Sequence, residues 1–216
     1  MFASSGAPVR HDLAANGAHP ADIINQIRFL WWPGVPGNTD DMLWAPERLA
    51  ELTMTRLKLA PILAAFQEMV PITRARIGEE RLRWLAGLPQ MRSEGGLTLV
   101  HARPHDLWRA PMPNARDAEL ESTYAALRAQ IVVYAHIHRP YVRRLPTFTV
   151  ANTGGVSLSY DGDTRASYLV IDGQDISIRR VEYDVESEAE ALLRSGLPNT
   201  DWLCRILRTG QYSPPE

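Results

Sequence analysis

Apolar positions recur along the chain in two rhythms. Between residues 20 and 31 they fall at 23, 24, 27, 30 and 31, the spacing of a helix with one buried face. Residues 46 to about 69 keep a helical rhythm, with Pro46 suited to a first turn and Pro61 expected to end or kink the helix. A further helix is predicted over 79–88, between Gly78 and Pro89. Residues 117–128, 186–194 and 199–208 read the same way, the last with Asn199 or Thr200 as its N-cap. The second rhythm is short and β-branched. Leu97-Thr98-Leu99-Val100 and residues 131–134 read as strands, the latter buried on both faces of a parallel sheet. Residues 147–151, 166–172 and 174–183 read as strands joined by tight turns, with Asp172-Gly173 a hairpin signal. Residues 33–40 are too rich in proline and glycine for a central strand along their whole length. Helices and strands alternate in the first half and strands crowd the second, so an α/β fold is predicted. No repeat, low-complexity tract or long linker divides residues 1–216, which read as one domain.

Composition narrows the function. The chain has 216 residues, 45% of them hydrophobic and 22% charged, enough for one sizeable core. Its net charge of −2 provides no basic field, so nucleic acid is expected only as a substrate and an anionic membrane not at all. The apolar run at 27–33 is far too short to span a bilayer, and the first ten residues lack the features of a secretory signal. Cys204 is the single cysteine. It excludes an internal disulfide, makes a reducing cytoplasm the expected compartment, and reads as a packing residue in a helix. Oligomeric state is left open.

The candidate chemistry lies where strands end. The strand at 131–134 runs into Ala135-His136-Ile137-His138-Arg139-Pro140. If the backbone stays extended, His136 and His138 project to the same side and can share a metal or a close metal pair. The strand at 97–100 runs directly into His101, and Asn38 follows Gly34-Val35-Pro36-Gly37. Asp12 precedes the helix that leads into the Asn38 segment. In open α/β sheets sites collect at the carboxyl ends of strands. One Asp, one Asn and three His make a mixed oxygen and nitrogen set suited to Zn, Mn or Fe rather than Ca or Mg. Taken singly, Asp12 and Asn38 also read as turn formers and the histidines as loop residues. Trp31, Trp32, Trp84 and Trp108 read as core or pocket walls rather than a stacking platform.

Four motifs in order, Gly37-Asn38-Thr39-Asp40, Val100-His101-Ala102-Arg103-Pro104, Ala135-His136-Ile137-His138-Arg139-Pro140 and Asn152-Thr153-Gly154-Gly155, resemble the calcineurin-like metallophosphoesterases. The match is nearest their small bacterial and archaeal phosphodiesterase branch. It covers residues 11–185, leaving 186–216 as C-terminal helices. The resemblance implies two packed β-sheets flanked by helices, a four-layer αββα sandwich. It also implies hydrolysis of a small phosphate ester, a diester or a monoester, at a dinuclear metal centre. By the same resemblance Asp12 is the bridging carboxylate, Asn38, His101 and His136 complete one metal's shell, and His138 belongs to the other. Metal-activated hydroxide is the expected nucleophile. Arg103 and Arg139, beside the ligand motifs, are candidates for gripping phosphate in a bidentate fork. The chain departs from the family at several points. No Asp-x-His precedes Asp12, so the first strand is expected to be missing and one or two metals per chain are allowed. Thr39 stands where many members carry a histidine, and His11 and Ala135 stand where glycines are usual. The alternative is a catalytically impaired metal-binding or regulatory protein on the same scaffold.

Overall fold

In the computed structural model, which describes residues 17–55 and 57–215, the N-terminal third is helical. Helix α1, Pro20–Phe29, buries Pro20, Ile24 and Ile27. Its stripe is narrower than the apolar spacing predicts. Ile23 stays 42% exposed, and Trp31 is 90% exposed because the helix has ended and Trp31 turns left-handed, at φ 53°. Trp31 is therefore neither core nor pocket wall. The predicted long helix over 46–69 is two helices, α3 (Pro46–Thr55) and α4 (Ala60–Ile77), with a 3-10 turn at Leu57–Leu59. Pro61 opens α4 rather than ending α3, because the first turn needs no proline N–H. Between α1 and α3 lies a helix the proline-rich pattern does not announce, α2 at Asn38–Trp44. The Asp40 carboxylate accepts the Gly37 N–H at 3.0 Å, the reciprocal half of a capping box. Met42 and Leu43, both fully buried, anchor α2 to the helical core. Helix α5, Glu79–Ala86, completes this layer.

The larger sheet runs in the order β1 (Met91–Glu94), β2 (Leu97–Val100), β3 (Ile131–Tyr134), β5 (Thr149–Asn152), β4 (Tyr141–Arg144). Its centre, β2-β3-β5, is parallel, and the outer strands β1 and β4 pair antiparallel. Those two edge strands have little apolar periodicity and were not predicted. A separate antiparallel hairpin joins β6 (Ala166–Asp172) to β7 (Asp175–Val181). Alternation along β3 explains the layering. Val132 and Tyr134 face a core shared with Leu120 and Tyr124 of helix α6, Asp117–Tyr124. Ile131 and Val133 face the other way, against Leu169, Ile171 and Ile176 of the hairpin. The chain is thus two β-sheets flanked by helices. Helices α7 (Val185–Arg194) and α8 (Thr200–Thr209) close it and pack into the same core as α1, α2, α4 and α5. Arg144, on the edge strand β4, faces water. Arg180 does not: it is only 16% exposed and pairs with Asp161. No helix among the described residues is long and apolar enough to cross a membrane.

Candidate metal centre

The parallel strands bring their carboxyl ends to one edge. Past the named strands, the Ala135 N–H donates to the His101 carbonyl at 2.9 Å, and the Thr153 N–H donates to Tyr134 at 3.1 Å. This carries the ladder into the two histidine segments and sets His136 beside His101. Neither His136 nor His138 keeps the extended backbone expected of them. Both are left-handed, at φ 62° and 52°, so the turn and not strand alternation aims their rings. Ala135 is not left-handed, which is why it needs no glycine.

Three side chains converge. Asn38 Oδ1 lies 2.9 Å from His101 Nε2 and 3.0 Å from His136 Nδ1, and the two nitrogens are 3.1 Å apart. Hydrogen bonding cannot satisfy all three edges at once. With a proton on one nitrogen, the other nitrogen and the amide oxygen face lone pair to lone pair. With protons on both, the nitrogens face proton to proton. A cation accepts all three lone pairs together. Edges of about 3 Å are also the spacing of neighbouring ligands at right angles around an ion held at roughly 2.1 Å. The donor set therefore fits a transition-metal ion. Burial pushes the fully buried His101 well below the ordinary histidine pKa, and the nearby His136 and His138 push it further. It stays neutral, as a ligand must. Among the described residues no Asp, Glu, Cys or further His closes on the pair.

His138 sits at an adjoining corner. Its Nδ1–H donates to the Leu158 carbonyl at 2.7 Å, leaving Nε2 as the ligand-type nitrogen. Its ring stacks on Tyr160, with centroids 4.7 Å apart and 14° between planes. Arg139 donates from Nε to the Tyr160 carbonyl at 2.9 Å. Arg103 reaches away from the triangle toward Glu119 on α6, at 3.6 Å. Asp12 and His11 lie outside the described residues. The Asn152-Thr153-Gly154-Gly155 turn adjoins the His138 corner: Asn152 Nδ2 donates to the Ala135 carbonyl at 2.6 Å, and a Cβ on Gly155 would meet His138 Nδ1 at 3.3 Å. Tyr160 was not singled out from sequence, where its one signal is an aromatic residue inside a Ser-, Gly- and Asp-rich run. The open cleft of about 540 Å³ lined by Pro46, Val70, Pro71, Arg74 and Glu79 contains none of these residues.

The fold has solved counterparts. A metallophosphoesterase from Sphaerobacter thermophilus superposes with a TM-score of 0.74 at 25% identity, over 93% of this chain and 86% of that one. The chain shares the metallophosphoesterase fold, which supports its resemblance to the calcineurin-like family. A hypothetical protein from Pyrococcus horikoshii OT3 shares the fold, with a TM-score of 0.78 at 15% identity over 95% of this chain and 86% of that one. By sequence, an uncharacterized protein of Methanocaldococcus jannaschii is 26% identical, covering 93% of this chain and 84% of its own length. No protein-family model matches. Metallophosphoesterase neighbours imply divalent metal ions as cofactors.

Proposed function

We propose that the protein hydrolyses a small phosphate ester, a diester or a monoester, with a divalent ion of manganese, iron or zinc held by Asn38, His101 and His136. The observation that carries this reading is the ligand triangle, whose three edges suit a cation and cannot all be hydrogen bonds. The family supports the reaction class. When bound, the metal supplies a hydroxide nucleophile and a counter-charge for the phosphoryl oxygens. The chain's own part is to hold the ligand atoms in place and keep His101 neutral. Arg139 is the better placed of the two arginines to meet substrate, since it lies in the His138 corner while Arg103 turns toward α6.

A second reading is favoured by one feature. The ligands among the described residues are all neutral, so a dinuclear centre must draw charge from elsewhere, and Asp12 is the residue proposed to give it. A scaffold that binds one metal without turnover is the alternative. Elemental analysis of the purified chain, with hydrolysis of an activated phosphodiester and phosphomonoester in added Mn, Fe or Zn, separates the two. Metal without hydrolysis supports the second reading. No metal with either His136 or His101 intact defeats both.

A further inference from the structure

The His138 corner is built by chain segments far away in sequence. Loop 157–163 grips residues 138 and 139 four times. Leu158 accepts from His138 Nδ1, the Tyr160 N–H donates to the His138 carbonyl at 3.1 Å, Arg139 donates to the Tyr160 carbonyl, and the Tyr160 ring stacks on the imidazole. The loop is in turn gripped by the tail after α8. The Gly162 N–H donates to the Gly210 carbonyl at 2.8 Å. Gly210 is left-handed, and a Cβ there would come within 2.9 Å of the Asp163 nitrogen, so the two backbones lie in direct contact. Tyr212 sets its edge against Tyr160, with centroids 5.4 Å apart and 76° between planes. Trp202 Nε1 donates to the Ser213 carbonyl at 2.6 Å and pins the tail to α8.

We propose that Tyr160 and the tail residues Gly210–Ser213 form a clasp that holds the His138 imidazole in one orientation, with Nε2 presented as a ligand. Tyr160 and Tyr212 are positioning residues. His138 occupies a left-handed turn that no strand pairing fixes, so without the stack its ring is free to rotate away from the Leu158 carbonyl. The catalytic consequence rests on the phosphoesterase reading; the ring's orientation does not.

The test reads the ring directly. Stacking on Tyr160 places the His138 carbon-bound ring protons in the tyrosine's shielding cone. In NMR spectra of the metal-free full chain they should lie upfield of those of the exposed His19 and His105, with the assignment made by His138→Gln. Tyr160→Phe keeps the ring and should keep the shift. Tyr160→Leu should abolish it, and Tyr212→Ala should reduce it. Phosphoesterase turnover should follow the same order, falling about 10-fold in Tyr160→Leu, the scale of lost outer-shell support at metal ligands. An unshifted His138 in the unsubstituted chain overturns the clasp. A shift unchanged in Tyr212→Ala overturns the tail's part, and this variant decides that point even if Tyr160→Leu fails to fold. Turnover unaffected by a displaced ring overturns the catalytic part. An unsubstituted chain inactive with every metal defeats the phosphoesterase reading instead, and leaves the NMR result to judge the clasp.

Discussion

The two histidine corners are held by different kinds of structure. His101 is fully buried at the end of β2, and a backbone bond from Ala135 ties its carbonyl to the neighbouring segment. Its position follows from sheet register, and moving it means breaking the parallel core. His138 is half-buried, lies beyond the last ladder bond, and depends on a loop and a tail twenty or more residues away for its aim. Surface loops and tails open locally at a small fraction of the global unfolding free energy, whereas central strands open only with the whole. The difference teaches that one half of the centre is preorganised by the fold, and the other half is adjustable.

The sharpest way to test that difference is to remove one ligand from each half. His136→Ala should lower tight metal binding about 100-fold or more, beyond the range seen for outer-shell changes, with little change in thermal midpoint because the side chain is only half-buried. His138→Gln should leave the tight ion in place and lower turnover. Among the described residues His138 alone stands at the second position, so we expect roughly one tightly bound divalent ion per chain. Two equivalents in elemental analysis, both lost in His138→Gln, would erase the distinction between corners.

A backbone change should strike one corner and spare the other. Gly154 is left-handed at φ 72°, and a Cβ there would lie 2.8 Å from Ser167 and 3.0 Å from Pro140. Valine adds the left-handed penalty to overpacking, together roughly 2–5 kcal/mol. A urea titration measures it. The disturbance should reach His138 through Pro140 while the His101 signals hold. Equal movement of both would show the corners to be one unit.

The pH dependence belongs to the buried corner. His101 has its folded pKa well below the ordinary 6.5, through burial first and the other histidines second. Its neutral form is thus the one compatible with the fold. Above about pH 6.5 it is neutral folded or unfolded and adds no pH dependence. As pH falls below that value the unfolded chain takes up the proton first, so stability declines toward the folded pKa. Urea midpoints of the metal-free protein at pH 8 and pH 5.5 should show the decline, and His101→Gln should flatten it. A slope that survives the substitution must arise elsewhere.

What the sequence made legible follows the same division. β2 and β3 were readable as short buried apolar runs and the hairpin from its Asp172-Gly173 turn. His101 and His136 drew notice as ligand-type residues after β2 and β3, and Asn38 after its proline- and glycine-rich turn. The edge strands β1 and β4 were not readable, since four residues as polar as Met91–Glu94 and Tyr141–Arg144 carry neither an apolar run nor an alternation. Helix α2 was hidden by Pro33 and Pro36 just before it and rests on a carboxylate-to-backbone cap and two buried side chains. The histidine turn departs from the extended form that alternation predicts because the strand ends at Tyr134, ahead of both histidines. Tyr160 and the tail were invisible for a physical reason: their partners are backbone carbonyls and ring faces, contacts that leave no spacing in the chain.

The smallest expected effect concerns the arginine that turns away from the centre. Arg103 and Glu119 approach to 3.6 Å with side chains 37% and 46% exposed. A pair this open is screened by solvent and is worth no more than about 1 kcal/mol. Glu119→Ala should therefore leave the urea midpoint almost unchanged. It also releases the Arg103 guanidinium from α6, which makes it a probe of whether that guanidinium serves the substrate. If Arg103 grips phosphate, as its place beside His101 first suggested, freeing it should lower KM and Arg103→Ala should raise it. If the guanidinium only braces the loop after β2 against α6, neither substitution should move KM. Arg139→Ala should raise it by comparison, because Arg139 lies in the adjustable corner where a substrate can be met. A KM raised equally by Arg103→Ala and Arg139→Ala would place phosphate between the corners, and the division of labour drawn from their anchoring would stop at the metal.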